Sequence, residues 1–220
     1  MFITGTDTEI GKTWCTLAII QYFKNQNLCV AGMKPIASGC YPTINGLRNS
    51  DAEQILALSE LDVAYDIVNP YAFEPPIAPH IAAQQINQDI ELNVIINNYE
   101  QLKIQSDVVI LEGFGGWRVP INANLSLKDM VLAMKTPVVL VVGIRLGCIN
   151  HALLTAEAIV QDGCHLIGWI ANQIDENFVG QQAIDTISEY LSAPLLAQMP
   201  YLNNLDIPTL ANKIIKFGKI

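Results

Sequence analysis

Basic residues are few. Lysine and arginine number 12 against 21 aspartates and glutamates, giving a formal net charge of -9. That balance excludes broad attraction to nucleic acid or an anionic lipid surface, and leaves any anionic ligand to be held by a few well-placed cations. Cysteine pairing is also missing: Cys15, Cys29, Cys40, Cys148 and Cys164 are odd in number and form no C-x-x-C. The sequence therefore predicts scattered thiols in a reducing compartment and no disulfide framework. The longest apolar run, Val138 to Val142, is far too short to span a bilayer, and neither a basic stretch nor an apolar leader precedes the first motif. A cytoplasmic protein is the expectation. The histidines, His80, His151 and His165, lack metal-ligand spacing. Internal repeats and low-complexity tracts are absent.

What the chain does have is apolar content. Of its 220 residues, 51% are hydrophobic and 15% charged, which suits one large core in a single domain over 1–220, with apolar surface left for a subunit contact. Short apolar runs alternate with helical patterns. "MFIT", "LCVAGMK", "DVVILEG", "PVVLVVGI" and "HLIGWIAN" read as strands buried on both faces. Helical patterns cover Lys12 to Asn25, "NSDAEQILALSE" with a capping box from Ser50 to Glu53, Leu92 to Gln105, Ser126 to Met134 and Asn150 to Gln161. Asn69 to Pro79 is proline-dense and reads as an ordered loop. The predicted architecture is α/β, a mostly parallel sheet covered by helices on both faces.

In such sheets ligands collect at the carboxyl ends of the strands. After the first strand runs Gly5-Thr6-Asp7-Thr8-Glu9-Ile10-Gly11-Lys12-Thr13, which ends in the Gly-Lys-Thr of a phosphate-binding loop but has five residues between its glycines instead of four. Its backbone N–H groups and helix N-terminus would face phosphate oxygens, Lys12 would reach the β and γ phosphates, and Thr13 would ligate Mg²⁺. Lys34 ends the second strand, and Pro35 biases it toward an extended conformation over the same edge; a strand-end lysine in water reads equally well. Ser38 suits a turn or a ligand, the turn being favoured on residue chemistry. Asp51 is explained by a helix N-terminus as well as by a metal. Glu112 closes "DVVIL" where an acid commonly approaches Mg²⁺, and Gly113, Phe114 and Gly115 follow it with a flexible backbone. Gly147 to Asn150, before a helix start, is either an anion pocket or a capped N-terminus. Asn172 either reads a purine base or sits in a polar turn.

"GTDTEIGKT", "KPIASG", "GLRNSDA", "VNPY", "EGFGGW", "LGCINHALLTAEAI" and "GWIAN" occur in that order over most of the chain, and together they resemble the dethiobiotin synthetase family. The lengthened loop is that family's own variant. The resemblance implies a phosphate-loop NTPase fold, a homodimer, and use of ATP, Mg²⁺ and CO₂ to convert 7,8-diaminopelargonate into the cyclic urea dethiobiotin. It further implies that Glu9, Ile10, Gly11, Lys12, Thr13 and Trp14 line the ATP phosphates, and that Thr13, Asp51 and Glu112 hold Mg²⁺. Lys34 is implied as the catalytic lysine at the carbamate and the transferred phosphate, with Lys12 neutralising charge and Thr8 and Ser38 orienting the same groups. Gly147, Cys148, Ile149 and Asn150 are implied to bind the substrate's carboxylate tail from the neighbouring subunit. Asn172 is implied at the adenine, bordered by Pro200, Tyr201 and Leu202.

The chain departs from the family pattern at Phe114, Trp14 and Tyr201, and its expected nucleotide acid falls near Asp206 or Ile207. Two rivals share the fold class. A partitioning-type ATPase would carry a lysine early in the loop, where Thr6 and Asp7 stand. A GTP-driven switch is suggested by Asn172-Gln173-Ile174-Asp175, which resembles a guanine-reading Asn-Lys-x-Asp with glutamine for lysine.

Overall fold

The computed structural model describes residues 1–59, 61–215 and 217. The chain opens with β1 (Phe2–Gly5), α1 (Lys12–Lys24) and β2 (Val30–Met33), then short β3 (Ile36–Ser38), β4 (Tyr41–Thr43) and β5 (Gly46–Arg48). Next come α2 (Ser50–Ser59), α3 (Tyr65–Val68), β6 (Tyr71–Phe73), α4 (Pro79–Gln85), α5 (Leu92–Ile104) and β7 (Val108–Glu112). The remainder is α6 (Leu127–Met134), β8 (Val138–Ile144), α7 (Cys148–Gln161), β9 (Leu166–Gln173), α8 (Gln181–Tyr190), β10 (Leu195–Met199) and α9 (Ile207–Ala211).

Six strands form the main sheet in the order β10-β9-β8-β1-β7-β2, every pairing parallel. The apolar runs bury both faces because successive side chains point to opposite sides. Phe2, Val138, Leu140 and Val142 enter one core with α5, α6, α7 and α8. Ile3, Val139 and Val141 enter the other with α1, α2 and α9. The predicted α/β architecture is thus realised, with a layer of helices on each face.

Three local expectations are corrected. The cap of α2 is Asn49, whose Oδ1 accepts from the backbone N–H groups of Asp51 and Ala52 at 3.1 and 3.2 Å. Ser50 is already helical, and the Glu53 carboxylate accepts from the Tyr41 hydroxyl instead of closing a capping box. Helix α7 starts at Cys148, not Asn150, because Gly147 at φ 89° turns the chain into it. Asn69 to Pro79 is not loop throughout: buried Tyr71 and Phe73 draw it into β6, parallel to β3. Asn69 fixes this segment by donating from Nδ2 to the carbonyls of Lys34 at 2.6 Å and Tyr71 at 3.3 Å.

Candidate active site

The strand order alone brings four of the predicted loops together. β1 lies between β8 and β7, and β2 lies beyond β7, so the turns after these strands share one edge. After β1 the chain is held by Thr6 N–H donating to Val141 O at 3.0 Å, then rises into the phosphate-binding loop. Glu9 and Gly11 take left-handed conformations at φ 56° and 79°. Gly11 also has no room for a side chain, since a Cβ there would lie 2.3 Å from Asn172 Nδ2. Asn172 reaches up from the end of β9 and donates to Ile10 O at 2.7 Å. It therefore braces the loop from beneath.

Lys12 and Lys34 are both buried, and each has found partners. Lys12 Nζ donates to the Asp7 carbonyl at 2.7 Å. Lys34 Nζ lies 2.5 Å from Glu112 Oε1, 3.4 Å from Asp51 Oδ2 and 3.5 Å from the Gly113 carbonyl. The same Glu112 oxygen accepts from the Thr13 hydroxyl at 2.9 Å. Burial, and then the charge of Lys34, bring the Lys12 pKa down to about 8. Burial acts on Lys34 in the same direction, but the Glu112 and Asp51 carboxylates beside it prevail and hold its pKa above the ordinary lysine value. Lys34 is thus held in its charged form by its carboxylate partners, while burial makes the charged form of Lys12 less favoured than that of an exposed lysine.

Two buried polar atoms in this cluster have no hydrogen-bond partner among the described residues, Glu112 Oε2 and Ser38 Oγ. An orphaned buried carboxylate oxygen is costly unless something occupies the space before it. Hard oxygens from Glu112, Asp51 and Thr13 fit Mg²⁺, which keeps several waters and needs few protein ligands. Among the described residues no group of three or more His, Cys, Asp and Glu side chains forms an all-protein metal cage.

The site opens into a cleft of about 720 Å³ lined by Thr8, Glu9, Gly11, Lys12, Thr13, Trp14, Lys34, Ser38, Asp51, Glu112, Phe114 and Gly115, within the range of small-molecule sites. Pro76 to Pro79, Asn49 and Val119 also line the wall. Sequence reasoning does not single out these wall residues: Pro76 to Pro79 are marked only by the proline density of "EPPIAP", and Asn49 only as a member of "GLRNSDA".

Other predicted positions lie apart from this cleft. Gly147 caps α7, while Cys148, Ile149 and Asn150 form its first turn, with Cys148 buried and Asn150 exposed. Pro200, Tyr201 and Leu202 follow β10, and Leu202 packs partly buried against the same core as Trp14 and Ile174. Asp206 caps α9, accepting from the Thr209 N–H at 3.1 Å and its hydroxyl at 2.7 Å. In the guanine-like segment, Gln173 Nε2 is spent on the carbonyls of Asp175 and Phe178 at 2.6 and 2.7 Å.

An AAA domain family model matches residues 1–209. The chain is 47% identical over 204 residues to the ATP-dependent dethiobiotin synthetase BioD of Vibrio campbellii, covering 91% of this chain and 89% of that protein. To the enzyme of the same name from Photobacterium profundum it is 45% identical, covering 97% of this chain and 98% of that one. The MinD cell division protein of Aquifex aeolicus superposes with a TM-score of 0.58 over 96% of this chain and 85% of that chain at 14% identity, a likeness of fold alone. Sequence identity of this extent, together with a phosphate-binding loop, two buried lysines and an orphaned carboxylate oxygen at one sheet edge, places the chain in the ATP-dependent dethiobiotin synthetase family.

Proposed function

We propose that the chain is an ATP-dependent dethiobiotin synthetase acting through residues 1–220 as one catalytic domain. One amine of 7,8-diaminopelargonate adds CO₂ and loses a proton to give a carbamate. A carbamate oxygen attacks the γ-phosphorus of ATP and ADP departs. The second amine then attacks the carbamoyl carbon of the mixed anhydride, phosphate leaves, and the ureido ring closes. The observation that carries this reading is the convergence of Lys12, Lys34, Thr13, Asp51 and Glu112 in one cleft.

The chain's task is to hold two mutually repelling anions in line and to spread the charge that builds on the phosphoryl oxygens. Lys12, released from the Asp7 carbonyl, supplies one cation to the phosphates. Lys34 supplies a second, its proton secured by Glu112 and Asp51. Ser38, whose hydroxyl has no partner among the described residues, and Thr8 orient the carbamate. Glu9 to Trp14 and Gly113 to Gly115 line the triphosphate, while Asn172 and Pro200 to Leu202 border the base. Thr13, Asp51 and Glu112 would hold Mg²⁺, which would supply Lewis-acid stabilisation of negative charge at the phosphates.

The working form is a cytoplasmic homodimer in which Gly147 to Asn150 of one subunit bind the acid tail of the diamine in the other. Leu154, 58% exposed, stands four residues after Asn150 on α7, and Leu146, 88% exposed, lies in the turn just before the helix, so apolar surface open to a second subunit lies on both sides of the proposed tail site. The route of oxygen tests the chemistry. With ¹⁸O-labelled CO₂, one labelled oxygen should pass into the released phosphate, because the carbon–oxygen bond of the anhydride breaks. Unlabelled phosphate from a turning-over enzyme would refute the carbamate attack.

A further inference from the structure

The front of the phosphate-binding loop is tied to a second loop by a contact that none of the roles above uses. Arg145, the first residue after β8, places Nη2 2.5 Å from Asp7 Oδ2. Asp7 is engaged at three atoms: its other carboxylate oxygen accepts from the Thr8 N–H at 2.8 Å, and its main-chain carbonyl accepts from Lys12 Nζ at 2.7 Å. β1 and β8 are hydrogen-bonded neighbours with Gly5 opposite Val141, so the turns that follow them start side by side.

We propose that Asp7 and Arg145 form a strap that fixes the lengthened front of the phosphate-binding loop, making Arg145 a positioning residue that acts on the nucleotide through Asp7 and Lys12. The proposal rests on the reading of Gly5 to Thr13 as the nucleotide's loop. A loop with an extra residue has more conformations to lose, and this one also holds Glu9 at φ 56°, a conformation that persists only where the surroundings impose it. Asn172 braces the loop at Ile10, just before Gly11. Ahead of that brace, the Thr6 N–H holds the main chain to Val141 O, and the Asp7 carboxylate adds a side-chain tie from the loop's front to the turn after β8. When the loop's front is fixed, the carbonyl that parks the Lys12 ammonium is fixed too, and the lysine starts from one place when the phosphates arrive. Gly147, which opens the first turn of α7, lies two residues beyond Arg145. The strap therefore joins the loop proposed for the phosphates to the connection that leads into the proposed tail site.

Both side chains are nearly half exposed, 43% for Arg145 and 45% for Asp7, so the strap's effect is modest and the protein folds without it. The test is calorimetric binding of a non-hydrolysable ATP analogue with Mg²⁺ to the full chain, alongside thermal melts. Arg145→Ala and Asp7→Ala are each expected to weaken binding about threefold to fivefold, and the double variant no further, since both remove one contact. Arg145→Lys, which keeps a cation within reach, should restore most of the affinity. A general structural loss would instead lower the melting temperature, would not be rescued by lysine, and would add in the double variant. Wild-type affinity in Arg145→Ala, or additive losses, overturns the strap alone, whereas a wild-type chain that binds no nucleotide overturns the phosphate-loop reading and the strap with it.

Discussion

Lys34 and Glu112 stand at the ends of β2 and β7, and their charged groups meet at 2.5 Å because those strands pair in register, Met33 opposite Leu111. Both side chains are almost wholly out of water, at 8% and 1% exposure. Each charge is offset chiefly by the other, with Asp51 a second, longer partner for Lys34 at 3.4 Å.

Breaking this pair should cost more than removing it. Glu112→Ala or Lys34→Ala leaves a buried charge short of its partner and should destabilise the fold by about 3 kcal/mol. The double variant should lose clearly less than the sum of the two, since the contact is shared. Denaturant melts of the four proteins in the cycle measure this directly, and simple additivity would contradict the geometry.

Activity depends on the same lysines for a separate reason. Lys12→Ala and Lys34→Ala should each lower the turnover rate on the order of a hundredfold, as for other lost donors to developing charge. Near-normal turnover in either variant would remove that residue from its role.

Gly11 admits no side chain. Its φ of 79° and the 2.3 Å that would separate an added Cβ from Asn172 Nδ2 act together in Gly11→Ala, which should destabilise the protein by roughly 1–3 kcal/mol and weaken nucleotide binding. A melt and an ATP-analogue titration both unchanged from wild type would show that the loop is not built as described.

The two lysines respond to pH with opposite signs. The folded-state pKa of Lys12, about 8, lies below its usual 10.5, so its contribution to folding stability rises between those values. Lys34 is raised, so its contribution is complete below the usual lysine pKa and is lost as pH climbs through the higher folded value. Phosphate needs Lys12 charged. ATP affinity should therefore fall as pH rises through about 8, with proton uptake on binding there, read by calorimetry in buffers of different ionisation enthalpy. Flat affinity without proton uptake from about pH 7 to about pH 9, a window that brackets the lowered value, would contradict a lowered Lys12 pKa coupled to phosphate binding.

Most of the fold is legible in the sequence because its signals are local: Val138 to Ile144 is apolar and β-branched on both faces, and Gly11-Lys12-Thr13 stands between a strand and a helix. The edge cluster is legible by topology, since strand ends in a parallel sheet share an edge, which places Lys12, Lys34 and Glu112 together; Asp51 joins them from the first turn of α2, a place that a helix N-terminus explains as well as a metal does. What the residues do not reveal depends on contacts far along the chain. Asn49 looks no different from Ser50 as a cap until the helix start is known, and the meeting of Asp7 with Arg145 spans 138 positions. β6 is hidden in the proline-dense segment because it pairs with β3, itself only three residues long. Asn172 suits a base or a polar turn by its sequence, yet its amide N–H is committed to Ile10, a distinction that requires the loop above it.

Turnover dependent on both substrates tests the central claim most directly. Purified protein with ATP and Mg²⁺ should release ADP only when both 7,8-diaminopelargonate and bicarbonate are supplied, with one dethiobiotin formed per ADP. ADP release indifferent to the diamine, or nucleotide binding with no ring closure under those conditions, would contradict it.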